Sequence, residues 1–493
     1  MADIPLRGSS KLIGLPYGSP DRPAIVPDRG VRVTLFVLWL VLFVAGLLYV
    51  GRYALTNPYV DEWAFVPVLF GEKPVGPWLW ELHNEHRFPL PRLVYIGLFR
   101  LTGDLRAGCL VSLIGISLVA AGLMHLARRV RGRASLADAV FPLLLMHVGQ
   151  GENLYMGYQL AFMLTAALAA GLLAVIVWPS RSLVGQVSNL SGQVGNPSHK
   201  TLADASGSGS FRRGLVATLL GWLLLTCGAA GLAYGVAAAG WVLFIAIFGR
   251  LAVWQRVVLV ALTLVTPGYI AVYMHGYVRP SHHPPSAGVI ESARVGLEAQ
   301  SMALGPAAGG LWELAGRAAG LEFLLIGLVV AVQLVAWFFR SHMDRRAVGL
   351  LLFVGAAAAV AFGIGWGRSG FQNDMGLAWR YGWITAPAVW AAYFTWLLRG
   401  GRVSIYATAA LAVVALVLLP INEASGFRDA EAVVRPTEAE WEADVRRGLT
   451  AAQMADKHYP RAGDPFRRDL IEAMRLMRGH GYTYYDSLGP EAP

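Results

Sequence analysis

Apolar residues recur along this chain in unbroken runs of roughly 17–25 positions, the length a helix needs to cross a hydrocarbon layer, with a few shorter runs between them. The runs occupy residues 33–50, 105–126, 136–148, 156–178, 215–230, 232–248, 257–274, 321–339, 348–364, 383–398 and 403–419. Each predicts a membrane-spanning helix, about eleven in all. The run 136–148 is short and carries Asp138. Runs 215–230 and 232–248 read as two helices joined by a tight glycine-rich turn at 228–231. Beyond residue 421 the chain is too polar to span. There Thr437-Glu438-Ala439-Glu440 has the form of a capping box, and Asp464-Pro465 reads as N-cap and first turn of a helix ending at Gly479. Leu470, Ile471, Met474 and Met477 would line one face of it.

Composition agrees with the pattern and narrows it. Of 493 residues, 56% are hydrophobic and 15% charged, where a soluble domain carries about 25% charged residues. This excludes a soluble globular protein, a disordered chain and a disulfide scaffold. Cys109 and Cys227 lie inside apolar runs and read as small core residues. The net charge of +10 comes almost wholly from arginine, since only Lys11, Lys73, Lys200 and Lys457 are lysines. Five connectors between apolar runs are rich in it: 128–133, 212–213, 250–256, 340–346 and 399–402. All fall on one side of the membrane, which makes the N-terminus cytoplasmic and the first run an uncleaved signal anchor. Such placement argues against nucleic acid as partner.

The organisation that follows is a polar cytoplasmic tail at 1–32, a transmembrane domain at 33–420 and an extracytoplasmic helical tail at 421–493. The first outer loop, 51–104, contains an amphipathic segment. The inner connector 179–213 holds two near-duplicate heptads, GQVSNLS at 185–191 and GQVGNPS at 192–198, and reads as a disordered insertion. Its sequon at Asn189 would face the cytoplasm and carry no glycan.

Polar groups gather at the outer ends of the spans, where an ionisable side chain is a candidate for function. The first outer loop offers Asp61 and Glu62, then His83-Asn84-Glu85-His86-Arg87 among Trp63, Trp78 and Trp80. A carboxylate there, Asp61, Glu62 or Glu85, can take a proton from an acceptor hydroxyl. If residues 83–87 open a helix, His83, His86 and Arg87 share a face that suits an anionic headgroup. A solvated juxtamembrane loop with interfacial tryptophans is the plain alternative. Glu152, Tyr158 and Gln159 lie at the second outer loop, His275 at the end of the seventh span, and Arg368, Gln372, Asn373, Asp374, Arg380 and Tyr381 around the outer loop near 365–382. Paired histidines at 282–283 lack an evident third metal ligand. No P-loop, dinucleotide fingerprint, HExxH or GxSxG stands in the sequence.

An inward N-terminus, a long first outer loop opening on Asp61-Glu62, an amphipathic stretch within it and about eleven spans together resemble the GT-C superfold of integral-membrane glycosyltransferases, such as the protein mannosyltransferases and the lipid A aminoarabinose transferases. The stretch 83–87 and the pair Arg380-Tyr381 also resemble segments of bacterial membrane proteins of this type, and the repeated heptads resemble tracts of planctomycete proteins. The resemblance implies a bacterial inner-membrane enzyme with its active face periplasmic. It would move a sugar from a polyprenyl-phosphate donor to an extracytoplasmic acceptor. Asp61, with Glu62 second, would be the base or metal ligand. The substrate would meet His83, His86, Arg87, Glu152, Tyr158, Gln159, His275, Arg368, Arg380 and Tyr381. A divalent cation on Asp61, Glu62 or Glu152 is compatible with this and not required. The usual large outer domain is missing. Two rival readings stand beside it: a lipid or solute transporter, and a catalytically inert lipid-binding relative.

Overall fold

The computed structural model describes residues 28–179, 199–280, 283–315, 317–340, 344–371, 375–460 and 463–490, with the side chains of 199–207, 317, 319, 464 and 465 set aside. The heptads, their sequon, His282 and residues 372–374 lie outside that set. Among the described residues the regular elements are all helical. In chain order the main helices are α1 (Asp28–Tyr53), α2 (Pro89–Thr102), α3 (Ala107–Arg131), α4 (Leu160–Val177), α5 (His199–Leu225), α6 (Ala229–Phe248), α7 (Val253–Thr263), α8 (Val265–Met274), α9 (Val289–Ser301), α10 (Ala307–Ala315), α11 (Arg317–Arg340), α12 (Arg345–Arg368), α13 (Gly382–Arg399), α14 (Gly401–Asp429), α15 (Arg435–Arg446), α16 (Ala451–His458) and α17 (Asp464–Gly479).

Among the described residues, eight stretches are long and apolar enough to cross a membrane: α1, α3, α4, α6, the α7–α8 pair, α11, α12 and α14. The chain is therefore an integral, polytopic membrane protein. The expected runs at 215–230 and 383–398 form α5 and α13. The run 136–148 does not form one helix. It forms the short turns Leu136–Ala139 and Val140–Leu145, stops at Met146, and passes through an extended His147 into two more short turns, Val148–Gln150 and Gly151–Tyr155. Irregular backbone survives at such depth only inside protein, and residues 140–151 are all buried. The boundaries also move at two other places. Helix α1 begins at Asp28, within the expected polar tail, and α5 begins at His199, within the expected insertion.

The bundle is a chain of neighbours: α5 along α6, α6 along α12, α12 along α9 and α13, α13 along α4 and α14, and α3 along α1 and α4. Glycine permits the closest of these approaches. A Cβ on Gly365 of α12 would lie 1.8 Å from the Ser292 carbonyl of α9, and one on Gly108 of α3 would lie 2.3 Å from the Gly157 carbonyl. Several of the basic connectors are tied down by polar contacts at one end of the bundle. Asp138 accepts two bonds from Arg131 at 2.9 Å and one from Tyr393 at 2.6 Å, Arg128 reaches Asp28, and Arg346 donates to the Trp178 carbonyl. Asp138 is thus a paired structural group.

At the other end, α14 does not stop. It runs through a π-turn (Ala430–Val434) into α15, so Thr437 sits inside a continuing helix and its hydroxyl donates to the Val433 carbonyl instead of capping. Helix α16, capped by Thr450 and Gln453, was not expected. Leu470, Ile471, Met474 and Met477 of α17 are buried on one face. That face does not rest on a finished surface. Together with Trp441, Val445, Met454 and Tyr485 it shares one hydrophobic core with Trp63, Phe65, Val66, Trp78, Tyr95 and Ile96 of α2 and the loop before it. The tail and that loop therefore fold as one cap on the bundle.

Candidate functional site

The segment 83–87 is a turn, not the start of a helix. His83 N–H donates to the His86 carbonyl at 2.8 Å and His86 N–H to the His83 carbonyl at 3.0 Å. Asn84 takes the left-handed conformation, φ 51°, which asparagine tolerates better than most side chains. The turn sends its side chains in different directions, so His83, His86 and Arg87 do not share a helical face. Arg92 of α2 supports it from beneath. Its guanidinium is buried over the rings of Trp78 and Phe88 and donates to the carbonyls of Trp78 and Glu81.

The two adjacent acids part company. Glu62 is 2% exposed and accepts from Tyr158 N–H at 2.8 Å, the Tyr95 hydroxyl at 2.9 Å and Tyr59 N–H at 3.2 Å. Burial raises its pKa to about 7 against the pull of those donors. It ties the loop to α2 and to the turn before α4 and faces no solvent. The side chain of Asp61 is 43% exposed. Asn84 Nδ2 donates to its Oδ1 at 3.4 Å, and His83 Nε2 stands 3.9 Å from Oδ2. Partial burial would raise its pKa, but His83, Asn84 and the nearby charge of Arg380 outweigh it and hold the carboxyl below its ordinary value.

A stability prediction follows from Glu62. The folded side chain keeps its proton up to about 7, whereas the unfolded one loses it near ~4.3. The folded state then binds more protons between those values, so stability falls as pH rises through that window and levels off above it. Thermal melts of the protein in nanodiscs across that range should show the slope, and Glu62→Gln should flatten it.

The remaining candidates form two groups around Tyr381. Arg380 donates to Glu152 at 3.1 Å, with side chains 30% and 24% exposed. Its backbone carbonyl accepts from Asn153 at 3.2 Å. Arg368, at the end of α12, donates through Nε to the Tyr381 hydroxyl at 3.2 Å. It also lends positive charge to Glu85, which pairs with His283 at 2.9 Å. Burial opposes ionisation of Glu85, but His283 and Arg368 hold its pKa below the usual value. Burial drives His86 the other way, down to about 4, so it is neutral at physiological pH. Asp61, Asn84, Glu85, Arg368, Tyr381, Arg380 and Glu152 thus lie along one partly exposed polar patch.

Some expected roles do not fit these placements. Arg87 spends its guanidinium on the carbonyls of Tyr273, His275 and Trp80, leaving it poorly placed for a phosphate. His275 meets Arg87 through its backbone carbonyl, and its side chain is exposed. Gln159 is buried, with Nε2 on the Met156 sulfur at 4.0 Å, behind the patch. Tyr158 packs its ring on Phe65, His83 and Phe88 as a wall of the Asp61 niche. The acids do not suit a cation: Glu62 faces inward, Glu152 is neutralised by Arg380, and no three His, Cys, Asp or Glu side chains among the described residues come together to hold one.

Reading the sequence missed Arg92, Asn84 as a partner of Asp61, and His283 as a partner of Glu85. It also missed His147, fully buried in the broken segment with neither ring nitrogen hydrogen-bonded among the described residues. A lone polar residue within an apolar run gave no signal for the last.

No protein-family model matches the chain, and no curated protein matches it. Among solved structures it is similar to ArnT from Cupriavidus metallidurans bound to undecaprenyl phosphate, at 13% identity and a TM-score of 0.44 over 94% of this chain and 89% of that one. It is also similar to the apo state of the same protein, at 16% identity and a TM-score of 0.41 over 94% of this chain and 78% of that one.

Proposed function

We propose that the protein is a membrane glycosyltransferase that moves a sugar from a polyprenyl-phosphate donor to an extracytoplasmic acceptor. The observation that carries this reading is a partly exposed carboxylate, Asp61, held below its ordinary pKa by His83, Asn84 and the nearby charge of Arg380, with Arg368 bonded to the adjoining Tyr381 at the same end of the helical bundle. In this scheme the acceptor hydroxyl attacks the anomeric carbon as Asp61 takes its proton. The bond from that carbon to the phosphate oxygen breaks, and the electron pair leaves with the polyprenyl phosphate. Arg380 and Arg368 stabilise the charge that gathers on it. Attack from the face opposite the phosphate inverts the anomeric centre. The proton on Asp61 then passes to water. His83 and Asn84 hold the carboxylate, Glu62 anchors its loop, and Glu152 orients Arg380.

The test uses the full chain in nanodiscs with a panel of undecaprenyl-phosphate-linked hexoses and pentoses. Release or transfer of the sugar from one donor supports the reading. Saturable binding of undecaprenyl phosphate with every donor left intact would point to the inert relative. A transporter is favoured by one observation only, the unpaired His147 in a broken intramembrane segment, a place where such proteins build their sites. It would carry lipid across proteoliposomes without cleaving the sugar bond.

A further inference from the structure

Val60, the residue before Asp61, has φ 46°. A β-branched side chain in the left-handed region is strained, because its γ-carbons crowd the backbone. Such a conformation persists only where the surroundings impose it. The valine side chain is 42% exposed, so its own packing does not impose it. The backbone does. Val60 N–H donates to the Tyr459 hydroxyl at 3.4 Å, and Trp63 Nε1 donates to the same oxygen at 3.2 Å. Tyr459 follows α16 in the cap, with its ring against Trp441 and Phe466. Trp63 packs its ring at a tilt against Trp441. Upstream, Thr56 and Asn57 bond to Glu438, and Arg52 and Tyr53 to Glu431. The cap grips the loop from Arg52 to Trp63, and Tyr459 touches it at the strained residue.

We propose that the C-terminal cap, through the Tyr459 hydroxyl, holds Val60 in its left-handed conformation and thereby aims the Asp61 carboxylate at its partners Asn84 and His83. Tyr459 is then a positioning residue. Its catalytic consequence rests on the glycosyltransferase reading above. Without the hydroxyl, Val60 relaxes toward ordinary φ, and Asp61 turns away from the patch.

Tyr459→Phe tests this while keeping the ring that packs the cap. In full-length protein in nanodiscs, hydrogen exchange of residues 58–64 should quicken about tenfold, with the helices of the bundle unchanged. Turnover with whichever panel donor reacts should fall roughly tenfold or more at unchanged KM for that donor. Adding Val60→Gly should restore most of the turnover, because glycine adopts this φ without strain. A merely structural tyrosine would not be rescued in this way. Unchanged exchange in Tyr459→Phe, or no recovery in the double variant, would overturn the proposal. A wild-type rate in Asp61→Asn would overturn the reading of the site and the catalytic half of this inference with it. An inactive Asp61→Asn beside a fully active Tyr459→Phe would overturn the role of the cap alone.

Discussion

Asp61→Asn is expected to lower sugar transfer by about two to four orders of magnitude, the range over which a positioned general base contributes. Expression should stay near wild type, and thermal stability should drop only by the modest contribution that the ionised carboxylate makes at neutral pH. The side chain is 43% exposed, the amide has nearly the same shape, and its oxygen still accepts from Asn84. What disappears is the capacity to take a proton. The pH profile supplies the second half of the prediction. His83, Asn84 and Arg380 keep the pKa of Asp61 below its usual value despite its burial, so transfer should hold constant as pH falls from neutrality and decline only below the ordinary carboxylate range. His83→Gln removes one of these supports, and the acid limb should move upward. The same carboxylate contributes stability that is present above its unfolded pKa and lost as pH falls through the lower folded value. Transfer by Asp61→Asn at the wild-type rate would remove the proposed base.

Arg380→Ala should weaken the use of the lipid phosphate by about ten- to a hundredfold, since a hydrogen bond to a charged group contributes ~1.5–3 kcal/mol and each ~1.4 kcal/mol is a factor of ten. The side chain is 30% exposed, so solvent screening favours the lower end of that range. Titration of undecaprenyl phosphate into the nanodisc protein reads this directly. Removing the guanidinium also leaves Glu152 unpaired near the leaving charge, which adds repulsion. Arg380→Lys should recover only part of the affinity, because an ammonium cannot keep Glu152 with one edge and reach a phosphate with another. Glu152→Gln still accepts from Arg380 and should retain most binding. Wild-type affinity in Arg380→Ala would move the phosphate away from this arginine.

How far the site was legible depended on the distance over which its parts interact. Asp61 stood out because a carboxylate beside a membrane boundary is costly unless used. Nothing local separates it from Glu62. Their side chains point apart, and the difference between a partly exposed carboxylate and a buried anchor arises from Tyr95, on α2, and the turn at Tyr158. Likewise the stretch 83–87 has the residue types of an anion-binding helix face. The pair of hydrogen bonds between His83 and His86 makes it a turn instead, and Arg87 is claimed by carbonyls at the end of α8. The basic connectors could be picked out from sequence because charge excluded from a bilayer is a property of each segment by itself. The cap was undervalued for the opposite reason. Its apolar face was evident in Leu470, Ile471, Met474 and Met477, but its partner lies some four hundred positions earlier in the chain.

Hydropathy by itself determined that this chain is a helical membrane protein, because a run of apolar residues satisfies its backbone internally and can be judged one segment at a time. It also picked out the polar residues that flank the apolar runs. Only the tertiary structure decided which acid meets water, which arginines keep free edges, and that a strained valine is held by the tail. Those outcomes depend on contacts between distant segments, where burial and a neighbouring charge set what an otherwise identical side chain can do.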